Sequence, residues 1–164
     1  MEKLNNNLNC RFCGHSLDYD FIDLGVSPLS NSYLTENDLQ KVERFYPLHA
    51  FVCNNCFLVQ LGEYGNPQEI FSDYAYFSSY STSWLEHAKK YTNSMIGKFG
   101  FDKNSKVIEI ASNDGYLLQY FKAKGINVLG IEPASNVAKV AVEKGIPTRE
   151  IFLNSSTGAQ LYNE

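Results

Sequence analysis

The period of hydrophobic and polar positions changes along the chain. Residues 46–53 (YPLHAFVC) and 57–61 (FLVQL) are short apolar-rich runs that predict two strands. Phe21 to Leu24 predicts another short strand, and Val26-Ser27-Pro28-Leu29 reads as a turn. Residues 62–81 form a connector rich in Tyr, Ser and Gly. The period then becomes helical over 82–99, where Leu85, Ala88, Tyr91, Met95 and Phe99 recur at i, i+3/i+4 and predict the buried face. Ser83 with Glu86 fits a capping box, and Gly100 fits a helix stop. From 105 strands and helices alternate. Residues 106–111 (KVIEIA) read as a strand, 115–123 as a helix with Leu117, Leu118 and Phe121 inward, and 126–131 (INVLGI) as a second strand. Residues 135–144 read as a helix using Val137, Val140 and Ala141, and 148–152 (TREIF) start a third strand. This βαβαβ order predicts an α/β fold with a parallel sheet.

Composition narrows the class. Hydrophobic residues make up 44% and charged residues 20% of 164 positions, the balance of an ordinary globular protein. The longest apolar runs, such as Phe57-Leu58-Val59, fall far short of the ~20 residues that span a bilayer, so no membrane-spanning helix is expected. Residues 1–9 are Asn-rich without an apolar core, which predicts a flexible tail rather than a secretory signal and a cytoplasmic location. Net charge is −4 and no block of five like charges occurs, so neither nucleic acid nor a membrane is an expected partner.

The four cysteines change the picture for the first part of the chain. Cys10 and Cys13 form one C-x-x-C pair and Cys53 and Cys56 another, with 39 residues between them. Two such knuckles suit tetrahedral zinc, and four thiolates leave no open position for a catalytic water. Two redox pairs or free buried thiols are the competing readings, but a redox motif needs only one pair near a βαβ unit. Residues 10–61 therefore read as a zinc-stapled β module whose metal supplies much of its folding energy. His49, four residues before Cys53, reads as a strand residue rather than a ligand, and His87 as a surface or packing residue.

A second constellation lies in the α/β part. Glu109-Ile110-Ala111-Ser112-Asn113-Asp114-Gly115 runs from a strand through a polar turn into a helix, where ligands bind in open α/β sheets. A dinucleotide would want G-x-G-x-x-G, yet the turn holds only Gly115, and Asp114 would repel a pyrophosphate. S-adenosylmethionine carries a sulfonium and an ammonium, which Glu109 and Asp114 suit. Glu132, 23 residues after Glu109 and followed by Pro133, stands where an acid accepts hydrogen bonds from ribose hydroxyls.

These stretches together resemble a known family. Cys10 to Cys13, Phe21-Ile22-Asp23-Leu24-Gly25, Pro28-Leu29-Ser30-Asn31, Tyr46-Pro47-Leu48, Cys53 to Cys56, Leu58-Val59-Gln60-Leu61, Tyr74-Ala75-Tyr76-Phe77-Ser78-Ser79-Tyr80-Ser81, Glu109 to Leu118 and Gly130-Ile131-Glu132-Pro133 occur in order. The set resembles the bacterial class I methyltransferases with an N-terminal zinc-binding domain, typified by the sugar C-methyltransferases of deoxysugar pathways. One departure is Ala111, where many methyltransferases place glycine; alanine is small enough to suit the position.

The resemblance implies S-adenosylmethionine as methyl donor and a nucleotide-linked 4-keto-6-deoxy sugar as substrate, methylated at carbon 3 through an enolate. It carries Tyr76 over as an active-site hydroxyl and Tyr74, Ser78 and Ser79 as cofactor contacts, beside Glu109, Ala111, Ser112, Asn113, Asp114, Gly115, Glu132 and Pro133. It also implies a linker and helix over 62–104 and, over 105–164, the start of a Rossmann-like methyltransferase domain whose main base lies beyond Glu164. On that expectation the chain alone is inactive. A zinc-stapled interaction module with a degenerate cofactor fold, or a methyltransferase of the same architecture acting on another small substrate, stand as alternatives.

Overall fold

A computed structural model describes residues 8–163, and the chain divides into two compact units between Asn66 and Pro67.

The first unit is a three-stranded antiparallel sheet. Strand β1 (Tyr19–Ser27) pairs with β2 (Tyr46–Val52), and β2 pairs with β3 (Val59–Leu61). β1 extends beyond the expected Phe21–Leu24 at both ends and takes in Val26 and Ser27, which the sequence placed in a turn. Register shifts at Asp20/Ile22 and Asp23/Val26 let a long strand follow a shorter partner. The core is small: Cys10, Leu17, Phe51 and Cys53 are buried, with Leu8 and Cys56 against them. Most of the expected tail over 1–9 lies outside the described residues, but Leu8 and Asn9 belong to this unit. Asn9 bridges to Ser16, and Leu17 N–H donates to the Leu8 carbonyl at 2.9 Å.

In the second unit a short helix, α1 (Pro67–Phe71), lies inside what read as connector. The long helix α2 (Thr82–Phe99) matches its expected span. Its cap differs: Ser81, not Ser83, receives the Trp84 N–H on its hydroxyl at 3.3 Å. Its buried face also differs. Ala88 and Thr92 are buried and Met95 and Ile96 pack on the core, whereas Tyr91 and Phe99 are largely exposed. The apolar pattern passes over Thr92, a polar residue that is fully buried.

The parallel sheet follows. Strand β4 (Lys106–Ile110), helix α3 (Leu118–Lys122), strand β5 (Asn127–Ile131), helix α4 (Ser135–Glu143), strand β6 (Thr148–Arg149) and helix α5 (Ser155–Asn163) follow in sequence. Sheet order is β4-β5-β6, all parallel, as the alternation predicted. This is a partial Rossmann-like α/β arrangement that follows a small four-cysteine β module in the chain. Leu118, Phe121, Ile126, Val128, Ala141 and Ile146 form the core. Helix α3 starts at Leu118 rather than 115 because Gly115, at φ +76°, keeps the chain in a turn for another residue pair. β4 pairs on one edge only among the described residues, and its Ile108 and Ile110 are more than half exposed. No helix of the described residues is long and apolar enough to cross a membrane.

Candidate functional site

The first site is a metal centre. Two knuckles with one backbone plan bring the four cysteines together. In the first, Gly14 N–H donates to the Cys10 carbonyl at 2.8 Å and Cys10 N–H to His15 at 2.7 Å. In the second, Phe57 N–H donates to the Cys53 carbonyl at 2.9 Å and Cys53 N–H to Leu58 at 3.0 Å. Gly14 and Phe57 are thus equivalent, and both adopt positive φ, +74° and +63°. Phenylalanine at such an angle stores about 1 kcal/mol or more of backbone strain.

All four sulfurs lie within 4.8 Å of one another, with Cys10–Cys56 and Cys13–Cys53 each at 3.6 Å. A zinc tetrahedron with metal–sulfur distances near 2.3 Å has sulfur–sulfur edges of about 3.8 Å, so the donor set fits. Gln60, on β3, donates to Cys10 Sγ at 3.1 Å and accepts the Arg11 N–H at 3.0 Å, an outer contact that orients a ligand. Burial works to raise the Cys10 thiol, but hydrogen bonds from the Cys13 N–H, Gln60, the Phe12 N–H and Cys56 outweigh it and hold it at about 6. Cys56 goes the other way. The Leu58 N–H favours its thiolate, yet burial and the three neighbouring sulfurs push it up to about 12. Four sulfurs this close cannot all ionise without a cation between them. His49 stays out of the cluster: it stacks on Phe51 at 4.2 Å and lies 3.0 Å from the Asp20 carboxylate. His87 stacks on Trp84.

The second site is a cavity of about 490 Å³ at the carboxyl ends of β4 and β5. Ile110 and Ala111 line it from the end of β4, and Ile131, Glu132 and Pro133 from the end of β5. Asn113 and Tyr116 come from the turn between them, Tyr74 and Ser78 from the connector, and Ile151, Phe152 and Leu153 from the stretch after β6. Of the residues expected at a cofactor site, Tyr74, Ser78, Ala111, Asn113, Glu132 and Pro133 therefore meet here. Tyr76, Ser79, Glu109, Ser112, Asp114 and Gly115 do not line the cavity.

The turn is held by its own polar groups. Glu132, 6% exposed, accepts the Asn113 N–H on one oxygen and the Ala134 N–H on the other, each at 2.9 Å. Two of the carboxylate's roughly four acceptor sites remain. The Asn113 carboxamide reaches the connector, donating to the Tyr76 carbonyl at 3.0 Å and accepting the Ser78 N–H at 2.8 Å. Asn136, near the start of α4, clamps Tyr74 by its backbone on both sides, at 2.9 and 3.1 Å. Ala111 and Asn113 take positive φ, +57° and +50°. The preference for glycine at position 111 is thus conformational, and alanine's small size is not what matters. Gly115 and Gly130 are glycines for room. A Cβ on Gly115 would come within 2.8 Å of Ile146, and one on Gly130 within 2.5 Å of the Ser112 hydroxyl.

Charge is arranged unevenly. Asp114, fully buried, pairs with Lys144 at 2.9 Å, so its charge is matched inside the protein. The negative charge falls instead to Glu132, with Glu109 beside it as a protonated carboxyl. Burial, and then the Glu132 charge, push the Glu109 carboxyl up to about 8, with a Tyr116 hydrogen bond working against them. Its Oε2 is buried without a hydrogen-bond partner. An unpartnered carboxyl oxygen beside the Glu132 carboxylate suits a cation, whose charge would favour loss of the Glu109 proton, and opposes a pyrophosphate. Together with the acceptor sites left on Glu132 and the apolar walls, these residues fit S-adenosylmethionine.

Sequence reasoning missed Tyr116, Lys144, Asn136 and the apolar run 151–153. Ile151 and Phe152 read as the end of a strand over 148–152, Lys144 as the last residue of the helix over 135–144, and none carries a spacing signal of its own.

Comparisons with known proteins agree with the geometry. A family described as "Putative zinc binding domain", of the methyltransferases, matches residues 10–71. The C-methyltransferase NovU of Streptomyces niveus is 31% identical over 152 residues, covering 93% of this chain and 36% of that protein. The chain thus spans about a third of the length of the curated relative it matches. Over nearly all of its length, this chain is similar to a methyltransferase with an N-terminal zinc-binding domain.

Proposed function

We propose that the chain is the zinc-binding and cofactor-binding portion of an S-adenosylmethionine-dependent C-methyltransferase. In this reading its substrate is a nucleotide-linked 4-keto-deoxysugar and the methyl goes to carbon 3. The supporting observation is the cavity at the ends of β4 and β5, walled by apolar side chains and by Glu132. S-adenosylmethionine supplies an electrophilic methyl group when bound. Glu132 would accept hydrogen bonds from the ribose hydroxyls with the acceptor sites its two amide contacts leave free. Ile131, Pro133 and Phe152 would enclose apolar parts of the ligand and exclude water. Glu109, raised by burial and by Glu132, would ionise fully once a cation lies nearby. Tyr76, half-exposed outside the cavity wall, would offer its hydroxyl toward the sugar. The four-cysteine centre is structural, with every position filled by sulfur.

Calorimetric titration tests this reading. S-adenosylmethionine should bind one equivalent per chain and NAD⁺ should not. Binding of NAD⁺ in preference to S-adenosylmethionine, or of neither, overturns it.

A further inference from the structure

Ser79 and Asp114 read from the sequence as cofactor contacts, yet neither lines the cavity. Both instead meet Lys144, just beyond the end of α4. Its ammonium donates to the Ser79 hydroxyl at 2.9 Å, to the Asp114 carboxylate at 2.9 Å and to the Asp114 carbonyl at 3.3 Å. One cation thus joins two stretches far apart in sequence, the connector before α2 and the turn after β4. The Asp114 carboxylate is 2% exposed and anchors the lysine, while the Lys144 side chain is 37% exposed and its bond to Ser79 lies at the surface.

A second link lies one turn away. The Asn113 carboxamide holds the Tyr76 carbonyl and the Ser78 N–H of the same connector. Ser78 to Tyr80 form a single 3-10 turn, so fixing Ser79 fixes Ser78 beside it. Ser78 and Tyr74 are the connector's contribution to the cavity wall.

We propose that Lys144 is a positioning residue: it fastens Ser79 to Asp114 and thereby holds the connector 74–79 as one wall of the cofactor cavity. Ser79 and Asp114 act through Lys144 rather than by touching the ligand. This inference rests on the reading of the cavity as a cofactor site, and its test separates the two.

Amide hydrogen exchange of the full chain, read without ligand, reports the latch. Ser79→Ala cuts the connector loose while leaving the Lys144–Asp114 pair intact, so the fold is kept. Exchange at the Ser78 amide should rise by about tenfold, with β4 and β5 unchanged. Ser79→Thr keeps the hydroxyl and should restore protection. Lys144→Met should raise exchange over 76–80 as well, and the double variant Lys144→Met/Asp114→Asn should do so without a buried unmatched charge. Wild-type protection at Ser78 in Ser79→Ala overturns the latch. S-adenosylmethionine titrated into Ser79→Ala should bind about tenfold more weakly than to wild type. Equal affinity overturns the link from latch to cavity. A wild-type chain that binds no S-adenosylmethionine overturns the cofactor reading instead, and the exchange data still decide the latch.

Discussion

The Glu132 carboxylate accepts the backbone N–H of Asn113 at 2.9 Å, so the acid at the end of β5 holds the turn at the end of β4. The same carboxylate takes the Ala134 N–H on its other oxygen. Glu132 is therefore a structural tie as well as a ligand candidate. Its removal has two consequences, and they can be measured apart. Glu132→Ala should strand two buried amides and lower stability by about 2–4 kcal/mol in denaturant unfolding. Glu132→Gln keeps one carbonyl acceptor and should cost about 1–2 kcal/mol. Equal stability of all three proteins would contradict the tie.

Backbone conformation makes a second prediction. Ala111 sits at φ +57° with its side chain exposed. Glycine there removes a left-handed penalty of about 1–2 kcal/mol and adds about 0.5–1 kcal/mol of chain entropy cost. Ala111→Gly should be neutral to stabilising by about 1 kcal/mol. Phe57→Gly, at φ +63° in the second knuckle, should behave alike. A clear loss of stability in either would contradict the assignment of strain.

Close approach makes a third. Gly130→Ala would set a Cβ 2.5 Å from the Ser112 hydroxyl and 3.0 Å from Thr148 Oγ1. It should cost about 1–3 kcal/mol. The Ser112 hydroxyl has no hydrogen-bond partner, so Ser112→Ala loses little and should relieve part of that cost when combined. A double-mutant cycle with no coupling would show that the collision is avoided in another way.

Glu109 sets a pH dependence. Its carboxyl is raised from 4.5 to about 8 in the folded chain. Between those values the folded state holds a proton that the unfolded state has released, so stability falls as pH rises through this window. Glu109→Gln removes the titration. The variant's stability relative to wild type should be near zero at pH 4.5 and should rise up to about pH 8. A difference constant across that range would contradict the raised value.

The metal centre predicts a stoichiometry. Protein prepared without chelator should hold one zinc per chain, and chelation should unfold the first unit, whose core is built largely around the cysteines. Zinc well below one equivalent would contradict the four-sulfur site. Cys53→Ser should act as chelation does.

Much of this was legible in the chain because it rests on local pattern. The C-x-x-C spacing announces the metal centre, and the alternation after 105 announces the parallel sheet. The helix over 82–99 follows from its period, but which side it buries does not, since Thr92 counts as polar and is nevertheless fully buried. The strand-end acids Glu109 and Glu132 stand out by position. What they do to each other depends on burial, which no spacing encodes. Asp114 shows the limit most sharply. Its charge looked available to a ligand, yet Lys144, thirty residues on, answers it. Asn113 lines the cavity, and its side chain also holds the connector, a second role that its position in the sequence does not encode. Long-range partners of this kind emerge only when the chain is folded.

The most direct test of the cofactor reading is a crystal structure of the chain grown with S-adenosylmethionine. The ligand should occupy the cavity between Ile131, Tyr74 and Phe152, its ribose hydroxyls on Glu132 while Glu132 keeps its bonds to Asn113 and Ala134. A ligand bound elsewhere, or a cavity left with solvent at saturating ligand, would contradict it.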